Sequence, residues 1–309
     1  MQYRALGQTG WNVSVLSYGA SPLGGVFGDI DESVGVRTVR AALDGGINFI
    51  DVSPYYGLTR AESVLGRALQ GVPRDSYYLA TKVGRYGADD FDFSAVRVTR
   101  SVDESLQRLG VDYVDLIQCH DIEFGSLDTV VDETLPALRR VVESGKARRI
   151  GITGLPLKVF RHVLSRTSVD TILSYCHYTL NDTALEELLP FLQEQKVGII
   201  NAAPLSMGLL SEKTLPEWHP ASTKLRQAAS RAAQHCQAKG LDIARLALQF
   251  AVANTQISTT IVGMASEEDL RRNIEAAREP LDEELLREVQ EILAPVHNVL
   301  WRSGRAENN

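Results

Sequence analysis

The chain has 309 residues, 44% apolar and 23% charged, the proportions of an ordinary soluble globular protein with room for a sizeable core. A net charge of −7 and the lack of any basic run argue against nucleic-acid partners. Three cysteines without CxxC spacing argue against disulfides and structural zinc, and so for a reducing, cytoplasmic setting.

Met1 opens directly into QYRALGQTG, with neither a charged nor an apolar leader, so no signal peptide is expected. Residues 2–13 carry a Gln-Thr-Gly turn and predict a β-hairpin. Short apolar runs then follow at LSYGA (16–20), INFID (47–51), YYLATKV (77–83), YVDLIQC (113–119), RRIGIT (148–153), TILSYC (171–176), VGIINAA (197–203) and STTIVG (258–263). Helical spacing lies between them at 31–44, 61–70, 94–109, 129–144, 182–195 and 222–239. Ser94 and the SEED stretch at 266–269 supply helix starts, and Gly45-Gly46, Gly110 and Gly145 supply stops. Residues 281–309 predict one more helix and a polar tail with Trp301. The stretch VGIINAAPLSMGLL is too short and too interrupted by Asn201, Pro204 and Ser206 to cross a bilayer, so no membrane partner is expected.

Eight strand–helix units without hairpin turns predict parallel pairing and an α/β fold, a closed (β/α)₈ TIM barrel with an N-terminal hairpin and an extra C-terminal helix and tail. A doubly wound sheet should carry GxGxxG after its first strand, where this chain reads YGASPLGG. No linker or repeat divides the chain, so residues 1–309 are expected to form a single domain.

In such a barrel the chemistry gathers at the carboxyl ends of the strands. The second barrel strand ends in Asp51 with Tyr56 just beyond, the third in Lys82, and the fourth in His120. A phenol is a poor acid–base group at a pKa near 10, and a neighbouring ammonium favours its phenolate. Lys82 would supply that charge, Asp51 would hold the lysine, and His120 could orient a substrate oxygen. A metal site at His120, Asp121 and Glu123 lacks a His-x-His, and His162, His177, His219, His235 and His297 show no ligand spacing, so no metal is expected. A glycosidase would need a second carboxylate, which the NAAP after the seventh strand does not offer. Cys119 reads as a buried strand cysteine. Phosphate binding at the loops after strands seven and eight fits PLSMGLL, with Gly208, and GMASEEDLRRN, with Ser266 at a helix start.

The motifs D-x-S-x-x-Y-G, A-T-K and the strand-end histidine resemble the aldo-keto reductase family, and the resemblance runs from RALGQTG to the helix with Asn273. It implies that Tyr56 transfers the proton, that Lys82 and Asp51 tune it and that His120 orients substrate, while Tyr55 packs. It further implies a nicotinamide dinucleotide held by Gly19, Thr153, Ser174, Pro204, Leu205, Ser206, Gly208, Gly263, Met264, Asp269 and Asn273. The family's carboxamide-binding Ser-Asn pair corresponds to Thr153-Gly154, its usual glutamine to Ser174, and its aromatic floor to Ala202. Family members that take the phosphorylated cofactor present basic residues where Gly263 and Asp269 stand, so NAD is expected over NADP.

The branch it resembles implies a small-molecule sugar substrate, with oxidation of the anomeric hydroxyl of L-galactose to the lactone. Tyr86, Asp121 and Glu123 would meet its hydroxyls, and Phe124, Trp218 and Trp301 would wall the pocket. L-Fucose, a D-threo-aldose or pyridoxal are the alternative substrates, and a cofactor-binding regulatory subunit with little turnover is the alternative class. The expected assembly is a monomer or homodimer.

Overall fold

The computed structural model of the protein describes residues 1–26, 28 and 30–309. Strands β1 (Tyr3–Ala5) and β2 (Asn12–Ser14) pair antiparallel as the predicted hairpin. Its turn is held by the Thr9 hydroxyl, which donates to the Leu6 carbonyl at 2.6 Å.

Eight parallel strands follow: β3 (Leu16–Gly19), β4 (Phe49–Asp51), β5 (Tyr78–Val83), β6 (Val114–Cys119), β7 (Ala147–Gly154), β8 (Thr171–Tyr175), β9 (Gly198–Ala202) and β10 (Thr259–Gly263). β10 pairs with β3 and closes the barrel. Each begins and ends within two residues of its apolar run, because a strand buried on both faces reads as continuous hydrophobicity.

Side chains alternate between the lumen and the helix layer. Inside, Phe49, Ala80, Leu116, Leu173, Ile200 and Ile261 form an apolar layer plugged by Leu6, Trp11 and Val13 of the hairpin region. Two residues further along the same strands come Asp51, Lys82, Gln118, Tyr175, Ala202 and Gly263. Alternation therefore delivers one polar layer above an apolar floor, at the barrel's carboxyl face. A second, larger core lies between barrel and helices.

Helix starts follow the expected chemistry. Asp31, Ser94 and Ser266 accept hydrogen bonds from first-turn amides of Glu32–Asp44, Ala95–Leu109 and Glu267–Arg278. Two predicted helices are interrupted. Residues 129–144 divide into a widened π segment, Val130–Thr134, and the helix Leu135–Glu143. Pro136 lacks the amide hydrogen that a continuous helix would use there, and Thr134 donates to the Phe93 carbonyl at 2.5 Å. Residues 182–195 likewise split into a 3₁₀ turn, Ala184–Glu187, and a short helix, Leu189–Glu194, around Pro190. Helices Leu157–Leu164 and Ile243–Ala253 add to those singled out by spacing. Among the described residues no helix is long and apolar enough to cross a membrane.

Candidate active site

Asp51, Lys82 and His120 stand at the ends of three neighbouring strands, and Tyr56 hangs from the loop after β4. Lys82 is 1% exposed, and its ammonium is fully committed. It forms an ion pair with the Asp51 carboxylate, donates to the Val52 carbonyl at 3.0 Å and donates to the Tyr56 hydroxyl at 3.1 Å. These contacts use its three hydrogens. The other Asp51 oxygen accepts from the Gln118 amide at 2.8 Å. The chain Gln118–Asp51–Lys82–Tyr56 thus runs from the lumen to a half-buried phenol.

Burial disfavours the Lys82 ammonium, but Asp51 and Tyr56 beside it outweigh that and hold its pKa above the ordinary lysine value. Burial also pushes the Tyr56 phenol up, against the opposing pull of Lys82. The lysine therefore acts on Tyr56 in the expected sense, yet desolvation is larger and the hydroxyl keeps its proton at neutral pH. Burial raises the Asp51 carboxyl as well, opposed by Lys82 and Gln118. His120 is driven down to about 3, chiefly by burial, so it is a neutral imidazole. Its ring stands perpendicular to Tyr56, with centroids 5.8 Å apart.

The Tyr56 backbone is fixed by a close approach of two loops. A Cβ on Gly24 would lie 2.5 Å from the Tyr56 carbonyl oxygen, and one on Gly57 would collide with the Gly24 carbonyl. Gly24→Ala is therefore expected to shift the phenol, destabilise the fold by about 1–3 kcal/mol and lower kcat at least about tenfold. Chemical denaturation and turnover measured on the same sample check both.

Beside the tetrad, Arg85 donates to Asp121 at 2.5 Å and lies 3.9 Å over the Tyr55 ring. Phe91 and Phe124, stacked at 4.4 Å, each lie with their ring centroid 5.2 Å from its guanidinium carbon. Burial opposes the Asp121 charge, but the Arg85 guanidinium that donates to it and the Lys82 ammonium hold its carboxyl below the ordinary range. Asp121 takes a left-handed φ of 49°, which is costly for a non-glycine residue, and its amide donates to the Thr153 hydroxyl at 2.9 Å. Phe124 and Asp121 thus flank the site.

The other expected substrate residues lie differently. The Tyr86 hydroxyl accepts from the Gly84 amide at 3.1 Å, and Arg97 covers its ring at 3.7 Å, so it faces the helix Ala95–Leu109. Trp218 is 53% exposed on the loop after β9, stacked against His219, which Trp301 meets edge-on at 5.3 Å. Glu123 is fully buried beneath the C-terminal tail. Its Oε1 accepts from the Leu155 amide, Tyr175 hydroxyl and Ser303 hydroxyl at 3.2, 3.2 and 3.0 Å. Its carbonyl accepts from Asn308 at 2.8 Å and the Arg305 amide at 3.0 Å. Glu123 is an anchor for the tail.

Burial and then the Asp121 charge push the Glu123 carboxyl from its ordinary 4.5 up to about 8. A carboxyl raised on folding contributes stability that is complete below 4.5 and disappears as pH rises through about 8. The uncharged Glu123→Gln lacks that loss. Its stability relative to the wild type should therefore improve as pH rises across this window, which denaturation midpoints taken through it would record.

Among the expected cofactor residues, Ser174 is turned away. It lies between lumen residues Leu173 and Tyr175, registers with Asn201 and points its buried hydroxyl to the helix layer, so Tyr175 occupies the lumen position. Met264 is fully buried in the outer core, with its carbonyl accepting from the Tyr18 hydroxyl at 3.0 Å. Gly19 lets β3 approach β10, since a Cβ there would lie 2.9 Å from Ile261. Thr153 is engaged with Asp121. The remaining residues follow β9 or lie at and beyond the end of β10, at the carboxyl face.

After β9, Pro204 and Leu205 lead into a turn in which Ser206, Met207 and Gly208 take φ of 47°, 56° and 99°. The Ser206 hydroxyl donates to Asn181 at 3.2 Å, and its carbonyl meets His219 Nε2 at 3.0 Å. At the end of β10, Gly263 is exposed, and a Cβ on it would come 3.1 Å from Pro22. The following helix carries Glu267, Glu268 and Asp269 in its first turn, with Asn273 half-buried one turn on. Arg271 and Arg272 are both tied to Glu268. An open glycine and the helix start after it could hold part of a dinucleotide, and the Lys213 ammonium lies 3.9 Å from the Asp269 carboxylate there. Among the described residues no cluster of three or more His, Cys, Asp or Glu could hold a metal ion.

Gln118, Arg85, Ser53 and Tyr175 belong to this site without having been singled out as candidates. Gln118 and Ser53 carried usable signals: Gln118 lies two residues before His120 on the same strand face, and Ser53 is the serine of the D-x-S-x-x-Y-G motif.

A closed parallel barrel with a buried Asp–Lys–Tyr chain and a neutral histidine at its carboxyl face defines an oxidoreductase, and the chain belongs to the aldo-keto reductase family. It matches the Aldo/keto reductase family over residues 15–294. Enzymes of this family work with nicotinamide cofactors. The chain is 53% identical to the L-galactose dehydrogenase of Arabidopsis thaliana over 317 aligned positions, covering 100% of this chain and 99% of that protein. It is 35% identical to the D-arabinose 1-dehydrogenase of Saccharomyces cerevisiae, over 84% of this chain and 82% of that one. Among solved structures, the holo form of aldo-keto reductase AKR11C1 from Bacillus halodurans superposes with a TM-score of 0.81 at 28% identity, covering 98% and 99% of the two chains.

Proposed function

We propose that the protein oxidises the anomeric hydroxyl of L-galactose to L-galactono-lactone with NAD. The observation that carries the reading is the 3.1 Å hydrogen bond from the buried, fully committed Lys82 ammonium to the Tyr56 hydroxyl. Bound NAD supplies the hydride acceptor. Tyr56, as phenolate, removes the proton of the sugar hydroxyl, and Lys82 stabilises the phenolate while Asp51 and Gln118 hold the lysine in place. His120, neutral, hydrogen-bonds the reacting oxygen. Arg85 and Asp121, walled by Tyr55, Phe91 and Phe124, offer donors and acceptors to the remaining hydroxyls.

Gly263, Asp269, Asn273 and the Pro204–Gly208 turn would hold the dinucleotide, and Tyr175 and Ala202, paired in register, line the lumen. L-Fucose, D-arabinose and other aldoses would suit the same site, which is the second reading that the 35% relative favours.

Identification of the product by NMR tests the reaction. A lactone oxidised at C1 is expected, and a product oxidised elsewhere would contradict it. Repulsion of a 2′-phosphate by the acidic helix start, worth about 1–2 kcal/mol, should make kcat/KM about five- to thirtyfold higher with NAD than with NADP. Asp269→Ala should narrow that ratio, as initial rates with the two cofactors would reveal.

A further inference from the structure

We infer that Ser53 is a positioning residue that fixes the tautomer of His120, making Nδ1 the acceptor and Nε2 the nitrogen that offers a hydrogen to the reacting oxygen. The inference rests on the proposed role of His120, but its evidence is local. The Ser53 hydroxyl lies 3.0 Å from His120 Nδ1 and accepts from the Tyr55 amide at 3.1 Å. Ser53 is fully buried.

A serine hydroxyl has one hydrogen to give and two lone pairs. The Tyr55 amide takes one lone pair. If Nδ1 carried a hydrogen, it would take the other, and the Ser53 hydrogen would be left in the protein interior with no acceptor in its described surroundings. Leaving such a group unpaired costs about 1–3 kcal/mol. With the hydrogen on Nε2, the hydroxyl donates to Nδ1 and every group is satisfied.

The far side of the ring agrees. His120 Nε2 lies 3.6 Å from Asp121 Oδ2, too far for a direct hydrogen bond but near enough for the carboxylate to favour a positive hydrogen on that nitrogen. Asp121 is itself committed to Arg85 at 2.5 Å, so Nε2 is left for an incoming oxygen. The ring stays neutral because burial keeps its pKa near 3. The serine of DVSPYYG thus sets which end of the imidazole meets the substrate, between the strand-end Asp51 and the reacting Tyr56.

The test is ¹⁵N NMR of the full-length protein labelled at histidine, with the His120 signal identified by its disappearance in His120→Gln. The wild type should show Nδ1 without hydrogen and Nε2 with it. Ser53→Ala should move His120 to a mixture of tautomers or to the Nδ1–H form and lower kcat roughly three- to tenfold, the worth of one neutral hydrogen bond. Ser53→Thr, which keeps the hydroxyl, should restore both signals. If the alanine variant fails to fold, Ser53→Cys, a weak donor of similar size, reads the same change.

A hydrogen on Nδ1 in the wild type would overturn the inference. So would an alanine or cysteine variant with an unaltered His120 pattern. The spectrum needs no turnover, so a protein inactive on sugars with the expected tautomer would overturn the proposed function alone.

Discussion

Tyr56→Phe is expected to lower kcat for sugar oxidation by about 10²–10⁴-fold, the range supplied by a positioned general acid–base group. The substitution removes one oxygen that Lys82 bonds at 3.1 Å and leaves the ring, its perpendicular contact with His120 and the glycine-locked backbone in place. Cofactor affinity, measured by quenching of intrinsic fluorescence, should be nearly unchanged. A pH profile adds a second readout. Because burial raises the Tyr56 phenol, the phenolate needed for oxidation is scarce at neutral pH, and the wild-type rate should climb toward alkaline pH. The residual rate of the phenylalanine variant should lack that climb. Parallel profiles would remove Tyr56 from the proton-transfer role.

Lys82→Met should damage both stability and rate, for separable reasons. The ammonium is the charge partner of the buried Asp51, and losing it leaves that carboxylate unpaired, which typically destabilises by about 3–5 kcal/mol. It also removes the charge that sustains a phenolate on Tyr56, so kcat should fall by more than about 10²-fold while KM changes little. Adding Asp51→Asn to Lys82→Met removes the orphan carboxylate and should recover much of the stability and none of the rate. Recovery of turnover in the double variant would show that the lysine acts only through Asp51. Absence of any stability loss in the single variant would contradict the buried ion pair.

Much of this site is legible from sequence because the barrel converts strand ends into neighbours. Asp51, Lys82 and His120 each close an apolar run, and one geometric rule brings them together. Side-chain facing near the ends is less legible. Ser174 and Tyr175 are adjacent, strand alternation sends them to opposite faces, and a one-residue offset exchanges lumen for helix layer.

Helix continuity failed where Pro136 and Pro190 remove an amide hydrogen inside otherwise periodic stretches. Glu123 looked like a substrate group because it follows His120 on the right loop. Its burial is imposed by Ser303 and Asn308, about 180 positions away, and no local pattern reports such a contact. Arg85 is hidden for the same reason, since its aromatic surroundings come from three separate loops.

The central claim is tested most directly by initial rates of NADH formation from NAD by the wild-type protein, with L-galactose, L-fucose, D-arabinose and pyridoxal compared under one set of conditions. The proposed reaction predicts turnover with each sugar that fits the site and the highest kcat/KM for L-galactose. A higher value for another sugar would keep the tetrad chemistry and reject L-galactose as the preferred substrate. No turnover with any of them, by a protein that binds NAD, would contradict the dehydrogenase reading itself.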